Sequence, residues 1–342
     1  MYNDITLEAA RALKNVVWID TRSPKEFKDA TIPGAINIPA LLDDERVVVG
    51  TLYKQDRITE AKQAGVTAIA KRLPDIFRQI AILYESHQLV IFCSRGGYRS
   101  GAISSFLYAL GIKAHRLSGG YKSYRHWLLA ELPCLLETIK AVTLYGNTGA
   151  GKTMILAKLK ENGYPVIDLE GLANHRGSLL GALGLSEQPS QKKFDSELYR
   201  ALRPYQGRTV FFEGESRKIG RILLSAELYT TLESGCPLWI ETHLEQRVAL
   251  LVREYGQVDA ASIQVALSEL VRYIGKARMA ELQQFAAAGD YATVARELCQ
   301  RYYDVNYKIP RHINFRRYDN NDVDNVAAVL GKDYDNGLFS GD

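Results

Sequence analysis

Leu89-Val90-Ile91-Phe92-Cys93-Ser94-Arg95-Gly96-Gly97-Tyr98-Arg99-Ser100-Gly101 is the stretch from which the rest of the chain can be read. Four apolar residues, two of them β-branched, run into a cysteine, the pattern of a buried strand ending at Cys93. Gly96 and Gly97 release the backbone from the usual φ limits. Beyond Ser100 the apolar residues Ala102, Ile103, Phe106, Leu107 and Leu110 repeat at helical spacing, and Gly111 stops them. Cys93 is therefore expected on a tight loop between a strand and a helix N-terminus. Loop amides, the helix dipole, Arg95 and Arg99 all favour an anion there. The same field favours thiolate, the nucleophilic form of cysteine.

The flanking sequence supplies the rest of a first domain, residues 1–133. Val16-Val17-Trp18-Ile19-Asp20 is a short apolar strand ending in an acid. In the segment after it, Ser23 is placed to cap a helix, with Pro24 at the first helical position and Glu26 three residues on. Ile32-Pro33-Gly34-Ala35-Ile36-Asn37-Ile38-Pro39 forms a loop. Val49-Gly50-Thr51-Leu52-Tyr53-Lys54-Gln55-Asp56-Arg57 is too polar for a core strand and precedes a helical run from Ala61 to Phe77. His115 and His126 are isolated and read as surface or packing residues. Ser118-Gly119-Gly120-Tyr121-Lys122-Ser123-Tyr124 closes the domain with a second glycine turn, read as mostly structural.

Strand, capped helix, I-P-G-A-x-N-I-P loop and cysteine loop, in that order, resemble the rhodanese family. The resemblance implies a cysteine that carries sulfur or selenium. Cys93 to Arg99 is C-x5-R, a seven-residue loop, where sulfurtransferase rhodaneses usually have six and rhodanese-like phosphatases have seven. A longer loop makes a wider anion pocket, suited to a tetrahedral phosphate or a larger chalcogen.

Leu132-Pro133 punctuates the boundary to a second domain, residues 134–342. Strand Ala141–Tyr145 leads into Gly146-Asn147-Thr148-Gly149-Ala150-Gly151-Lys152-Thr153, and a helix follows from Met154 to Glu161. This is G-x4-G-K-[ST] in its strand–loop–helix context. Loop amides cradle phosphate oxygens, Lys152 adds a point charge, and Thr153 can reach a magnesium ion. Further strands are expected at Pro165–Gly171, Thr209–Ser216 and Leu238–Glu241, which implies a parallel sheet with its site at the strand C-terminal ends. Glu213 or Glu215 is placed there as a magnesium or water-orienting acid, and Asp168 is a candidate substrate or magnesium contact. His175, Arg176 and Ser178 lie where they can touch an anion or a base. Arg217, Lys218, Arg221 and Arg247 add cations to the same rim.

Leu250 to Cys299 reads as helical, with no chemistry visible. Residues 301–318 carry five basic residues and one acid interleaved with aromatics. Tyr302, Tyr307, Lys308 and Arg316 are the candidate RNA contacts in that mix. From Asp319 the tail is acidic and expected to be loose. The fold class is thus α/β: a rhodanese-like parallel-sheet domain, then a P-loop NTPase-like parallel-sheet domain with a helical C-terminal part.

Composition agrees with a globular α/β chain. Of 342 residues, 46% are hydrophobic and 24% charged. The net charge of +4 is uneven, with 18 Lys and Arg against 13 Asp and Glu in residues 1–133, which suits an anionic partner. No apolar run approaches the ~20 residues of a membrane span, no secretory signal is visible, and four scattered cysteines suggest neither a disulfide framework nor zinc. A reducing cytoplasm fits.

With V-G-T-L-Y-K-Q after the first loop, A-N-H-R-G-S after the second strand of the P-loop domain and E-G-E-S-R-x-I-G at the third, the whole chain resembles the tRNA 2-selenouridine synthase family. The resemblance implies tRNA bearing 2-thiouridine at the wobble position as partner. Geranyl diphosphate is the implied co-substrate of an S-geranylation, and selenophosphate that of the replacement of the S-geranyl group by selenium. A selenophosphate-producing enzyme is an implied partner. The P-loop then binds a diphosphate, and Cys93 with Arg95, Gly96, Gly97 and Arg99 carries selenium. Two other readings stay open: an ATP-dependent kinase-like enzyme with an accessory rhodanese sulfurtransferase, and a regulatory module in which the cysteine loop senses anions.

Overall fold

A computed structural model describes residues 3–178, 180–214, 216–256, 258–307 and 314–339. The chain divides into two compact units, one of residues 1–132 with 195–197 and one of residues 133–194 with 198–342. No helix among the described residues is long and apolar enough to cross a membrane.

The first unit runs β1 (Asn3–Ile5), α1 (Leu7–Ala12), β2 (Val16–Asp20), α2 (Pro24–Asp29), β3 (Ile36–Asn37), α3 (Asp43–Lys54), α4 (Ile58–Ala70), α5 (Leu73–Tyr84), β4 (Gln88–Phe92), α6 (Tyr98–Ala109), β5 (His115–Leu117) and α7 (Gly120–Glu137). Its five strands are parallel, in the order β1-β5-β4-β2-β3. β4 is central and nearly all apolar, because helices cover both faces of a parallel sheet. Ile19, Leu89, Ile91, Ile103 and Leu107 close the core around it with no exposed surface. Cys93 therefore leaves the sheet at the carboxyl end of its middle strand, where α/β folds place their sites.

Three expectations are refined here. The single helical run from Ala61 to Phe77 is two helices, broken at Lys71-Arg72 ahead of Pro74, since proline starts a helix far better than it continues one. The polar segment 49–57 belongs largely to α3, which ends at Gln55 with Asp56 in the left-handed conformation at φ 58°. Leu132-Pro133 does fall where the two units divide, but the chain makes the crossing as a helix, with Pro133 inside α7.

The second unit runs β6 (Lys140–Tyr145), α8 (Lys152–Glu161), β7 (Val166–Ile167), α9 (Leu169–Ala173), α10 (Gln191–Leu202), β8 (Thr209–Glu213), β9 (Lys218–Ile219), β10 (Ile222–Leu223), α11 (Ala226–Ser234), β11 (Cys236–Glu241), α12 (Leu244–Tyr255), α13 (Ala260–Glu269), α14 (Val271–Ile274), α15 (Lys276–Ala287), α16 (Tyr291–Leu298), α17 (Asp304–Asn306), β12 (Arg316–Asp319) and α18 (Val323–Asp335). The main sheet is again parallel, in the order β12-β11-β6-β8-β7. β6 lies at its centre, so the P-loop also leaves the carboxyl end of a middle strand. β9 and β10 form a small antiparallel hairpin.

The C-terminal tail is not loose. Asp322 caps α18, whose Val326, Ala327 and Leu330 are buried with Ile155, Leu159 and Phe211 in the core of this unit. The basic–aromatic stretch ahead of it supplies β12, an edge strand paired to β11. The helical run from Leu250 takes in the end of α12 and the four helices α13 to α16, of which α13, α15 and α16 pack Ile263, Leu267, Met279, Leu282, Val294 and Leu298 into a separate cluster. A turn of π-helix, Cys299–Tyr303, follows them.

Candidate functional site

Two strand–loop–helix sites are built into the chain, one in each unit. In the first, Cys93 is 4% exposed. The Ser100 hydroxyl donates to its Sγ at 3.2 Å. Burial works against a charged sulfur, but the hydroxyl and amide of Ser100, the Arg95 amide and the Arg99 charge outweigh it and hold the thiol below its ordinary value. The geometry is that of a sheltered, activated nucleophile.

The loop owes its shape to the segment 118–124. The Tyr121 amide donates to the Cys93 carbonyl at 2.8 Å, and the Lys122 amide donates to that of Ser94 at 3.0 Å. Gly120 has φ 58°, and a Cβ there would lie 2.2 Å from the Cys93 carbonyl oxygen and 2.5 Å from the Gly96 nitrogen. Gly96 itself has φ 64° and would meet the Leu117 carbonyl, whereas a Cβ on Gly97 would stand in open space. The second glycine turn, read as mostly structural, is so in a particular way: it is the mould of the cysteine loop. At the other side, both the amide and the hydroxyl of Thr21 donate to the Phe92 carbonyl, at 2.8 and 2.9 Å. Asp20, fully buried, is held by Arg22 at 2.6 Å and by the Thr31 hydroxyl at 2.8 Å.

Arg95 and Arg99 do not share one role. Arg99 is paired with Glu26 and donates to the Ser94 hydroxyl at 2.9 Å. Ser94 in turn donates to Glu26 at 3.0 Å, and Arg46 of α3 approaches the same carboxylate at 3.6 Å. Burial opposes the charge on Glu26, but Arg99, the Ser23 amide and Ser94 bring its pKa down to about 2. Arg99 therefore braces the loop through Glu26, and Arg95 is its exposed cation. The capping box of α2 was the signal for Glu26: its Oε2 accepts from the Ser23 amide at the N-cap.

In the second unit, Gly146 to Thr153 wrap the start of α8. Gly146, Gly149 and Gly151 have φ of 154°, 80° and 81°, and a Cβ at each would come within 3 Å of Ile240, Leu251 or Asn320. Lys152 donates to the Gly146 carbonyl at 2.8 Å, and Ala150 offers its carbonyl to Thr242 at 3.0 Å and Asn320 at 2.9 Å. The Gly146 amide donates to the Tyr307 hydroxyl at 3.3 Å. The Asn147 carbonyl accepts from the Ala150 amide at 3.0 Å, which closes the loop's first turn. Arg247 is no rim cation: it is 4% exposed, donates to the Thr148 carbonyl at 2.9 Å and pairs with Asp304 at 2.6 Å.

The loop forms one wall of a cavity of about 1120 Å³. Its cations are Lys152, Arg176, Arg217, Lys218 and Arg253. Its aromatic and apolar wall holds Tyr145, Tyr229, Tyr255, Tyr302, Tyr303, Tyr307, Leu232, Leu250 and Leu251. His175 and Ser178 also line it, so A-N-H-R-G-S is brought to the phosphate loop. His175 is 7% exposed and wedged between Gly181 and Gly220; burial, then Arg176, hold its pKa below the usual value, which keeps it neutral at pH 7. Arg176 pairs with Glu254 at 2.8 Å and lies 5.0 Å from the Tyr255 ring. Burial pushes the Glu254 carboxyl up, against Arg176.

Other expected residues fall elsewhere. Asp168 accepts the Gly171 amide at 2.7 Å as the cap of α9, a local bond that occupies it on the backbone. Glu213 is fully buried, accepts the Glu170 amide at 2.6 Å, and is absent from the cavity wall. The acids at the wall are Glu170, Glu233 and Glu254, of which Glu170 accepts from the Thr153 hydroxyl at 3.1 Å. Arg221 turns away to pair with Glu187 at 2.9 Å. Tyr302 and Tyr307 face the cavity, Arg316 stands exposed on β12, and Glu215 and Lys308 lie outside the described residues. No group of three or more metal-ligating side chains is present among the described residues. Sequence reading missed Arg253, Glu254 and Tyr255, because α12 shows only helical periodicity.

The fold and the two loops define a two-domain chain, a rhodanese-like unit with an activated cysteine followed by a P-loop unit. Comparison with known proteins agrees with that class. Residues 6–126 match the rhodanese-like domain, and residues 139–333 match the tRNA 2-selenouridine synthase AAA domain. The chain belongs to the tRNA 2-selenouridine synthase family. It is 36% identical to the tRNA 2-selenouridine synthase of Sulfurovum sp. (strain NBC37-1) over 248 residues, 71% of this chain and 67% of that one. Identity is 35% to that of Hydrogenovibrio crunogenus, covering 71% and 69%, and 32% to that of Nitrosomonas europaea, covering 69% and 63%. The chain thus spans about two thirds of the length of these curated relatives. Among solved structures, an N-terminal domain from Clostridium difficile 630, of a protein described as ATP/GTP binding, is 39% identical with a TM-score of 0.37, covering 37% of this chain and 99% of that one.

Proposed function

We propose that this chain converts 2-thiouridine at the wobble position of tRNA to 2-selenouridine in two steps. In the first, the sulfur of the base attacks C1 of geranyl diphosphate. A C–S bond forms, the C–O bond to diphosphate breaks, and the N3 proton of the base is lost. In the second, the selenium of selenophosphate attacks C2, the C–S bond breaks and geranyl thiol leaves, and water then cleaves the Se–P bond, so that phosphate is released and the C2 selenocarbonyl remains. Alkylation makes this feasible, because a thiocarbonyl sulfur is a poor leaving group and a geranyl thiolate a far better one.

The observation that carries the reading is the composition of the P-loop cavity. Glycine-loop amides and five cations suit a diphosphate. The tyrosines and leucines opposite suit an apolar chain attached to it. Magnesium, if it accompanies the diphosphate, would be met by Thr153 and Glu170, already in contact at 3.1 Å. For the second step the Cys93 loop offers its amides and the exposed Arg95 to hold the selenophosphate anion with its Se–P bond intact, next to a thiolate under cover from water. A selenophosphate-producing enzyme would be the natural donor.

The test is incubation with 2-thiouridine tRNA, geranyl diphosphate and selenophosphate, followed by nucleoside mass spectrometry. S-geranyl-2-thiouridine should appear without selenophosphate, and 2-selenouridine when it is added. ATP turnover with neither product would favour the kinase-like alternative and contradict this function.

A further inference from the structure

We propose that Tyr98, backed by Tyr53, is the platform on which the substrate base stacks while the Cys93 loop acts on it; the proposal rests on the tRNA reading above. Nucleophile activation does not require an aromatic residue in this loop, since Ser100, the amides and Arg99 supply it. Yet Tyr98, the first residue of α6, is 70% exposed. A large ring left open to water beside a reactive group points to a partner.

The ring is held in place. Tyr53 lies nearly parallel to it, at 16° and 6.3 Å between centroids, and the Lys62 ammonium stands 5.5 Å from its centre. Tyr53 belongs to α3 and Lys62 to α4, the two helices that follow β3 on the way to the cysteine strand. The same α3 reaches the cysteine loop through Arg46 and Glu26. The polar V-G-T-L-Y-K-Q-D-R stretch therefore brings an aromatic ring to the mouth of the loop.

The charges around the pair suit RNA. Arg95, Lys54 and Lys62 are exposed, and none enters an ion pair among the described residues. Glu60 is taken by Arg57 and Glu26 by Arg99, while Asp56 stays exposed beyond the end of α3. Proteins hold an unstacked base in this way, with a ring face for the base and cations for its phosphates. A free inorganic anion would use the cations and leave the ring without a purpose. A base on Tyr98 lies over the N-terminus of α6, whose Ser100 supports the thiolate.

The test uses the full chain with an anticodon stem-loop RNA. With 5-iodouridine at the wobble position, irradiation should cross-link the base to Tyr98 or Tyr53, mapped by peptide mass spectrometry. With S-geranyl-2-thiouridine there instead, Tyr98→Ala should raise KM for selenation about tenfold or more, as expected for one lost stack. Tyr98→Phe should restore it. Alkylation of Cys93 by iodoacetamide at the wild-type rate would show the loop intact in both variants. Unchanged KM in Tyr98→Ala, or a cross-link confined to other peptides while selenation proceeds, would overturn the proposal alone. Failure of the wild-type chain to bind or modify the RNA would instead overturn the tRNA reading, and the platform with it.

Discussion

The Cys93 loop and the P-loop are the same device used in two ways. Each leaves the carboxyl end of a central parallel strand, turns on glycines and delivers its amides to a helix N-terminus. The first is closed: Cys93 is 4% exposed and a neighbouring glycine turn presses against its backbone. The second is open: it forms the wall of a cavity of about 1120 Å³ and contains no thiol of its own. Their braces differ accordingly. A half-buried carboxylate, Glu26, holds the arginine of the first loop, and side chains from distant segments, Asn320, Thr242 and Arg247, hold the carbonyls of the second. A loop that does chemistry is built around its own atom, whereas a loop that binds is built around the shape of something else.

This contrast can be broken deliberately. Among changes that leave Cys93 itself in place, the largest effect is expected from Gly120→Ala. The new Cβ would collide with the Cys93 carbonyl, and φ 58° is strained for alanine. Selenation should fall by about a hundredfold or more while geranylation stays within about twofold, the scale of an active geometry displaced by an ångström. Equal loss of both reactions would mean that the two loops are not separable.

A smaller effect is expected from Ser100→Ala, which removes the hydroxyl at 3.2 Å from Sγ. The native Cys93 thiol sits below its ordinary value, so thiolate is present at lower pH than for a free cysteine. Losing a donor to the charged form moves the pKa up, and the alkylation profile should shift to higher pH. At neutral pH alkylation should slow by roughly tenfold, the worth of one hydrogen bond to a charged atom. An unshifted profile would leave the amides and Arg99 as sufficient support.

Much of both loops is legible in the sequence because their chemistry is local. A strand, a glycine turn and a helix within thirteen residues announce Cys93, and the P-loop motif does the same. What cannot be read depends on contacts distant in sequence. Gly120 lies against the Cys93 loop only once β5 has paired with β4. Arg247 reads as a surface cation until α17 brings Asp304 to it. Asp168 and Glu213 read as candidate substrate or magnesium contacts, but a helix cap and a buried backbone amide engage them. The acids from Asp319 hide the apolar stripe of Val326, Ala327 and Leu330, which makes α18 part of the core. The polar character of segment 49–57 correctly excludes a core strand, and says nothing of Tyr53 meeting Tyr98.

The central claim is that the two loops divide the two reactions between them, and its most direct measurement follows both half-reactions in Cys93→Ser and Lys152→Ala by nucleoside mass spectrometry. Cys93→Ser should leave geranylation near wild type and abolish selenation of tRNA already geranylated. Lys152→Ala should cut geranylation by about a hundredfold, as loss of a charged phosphate contact does at such sites, and leave selenation of geranylated tRNA within about threefold. Geranylation abolished by Cys93→Ser, or left intact by Lys152→Ala, would contradict the account.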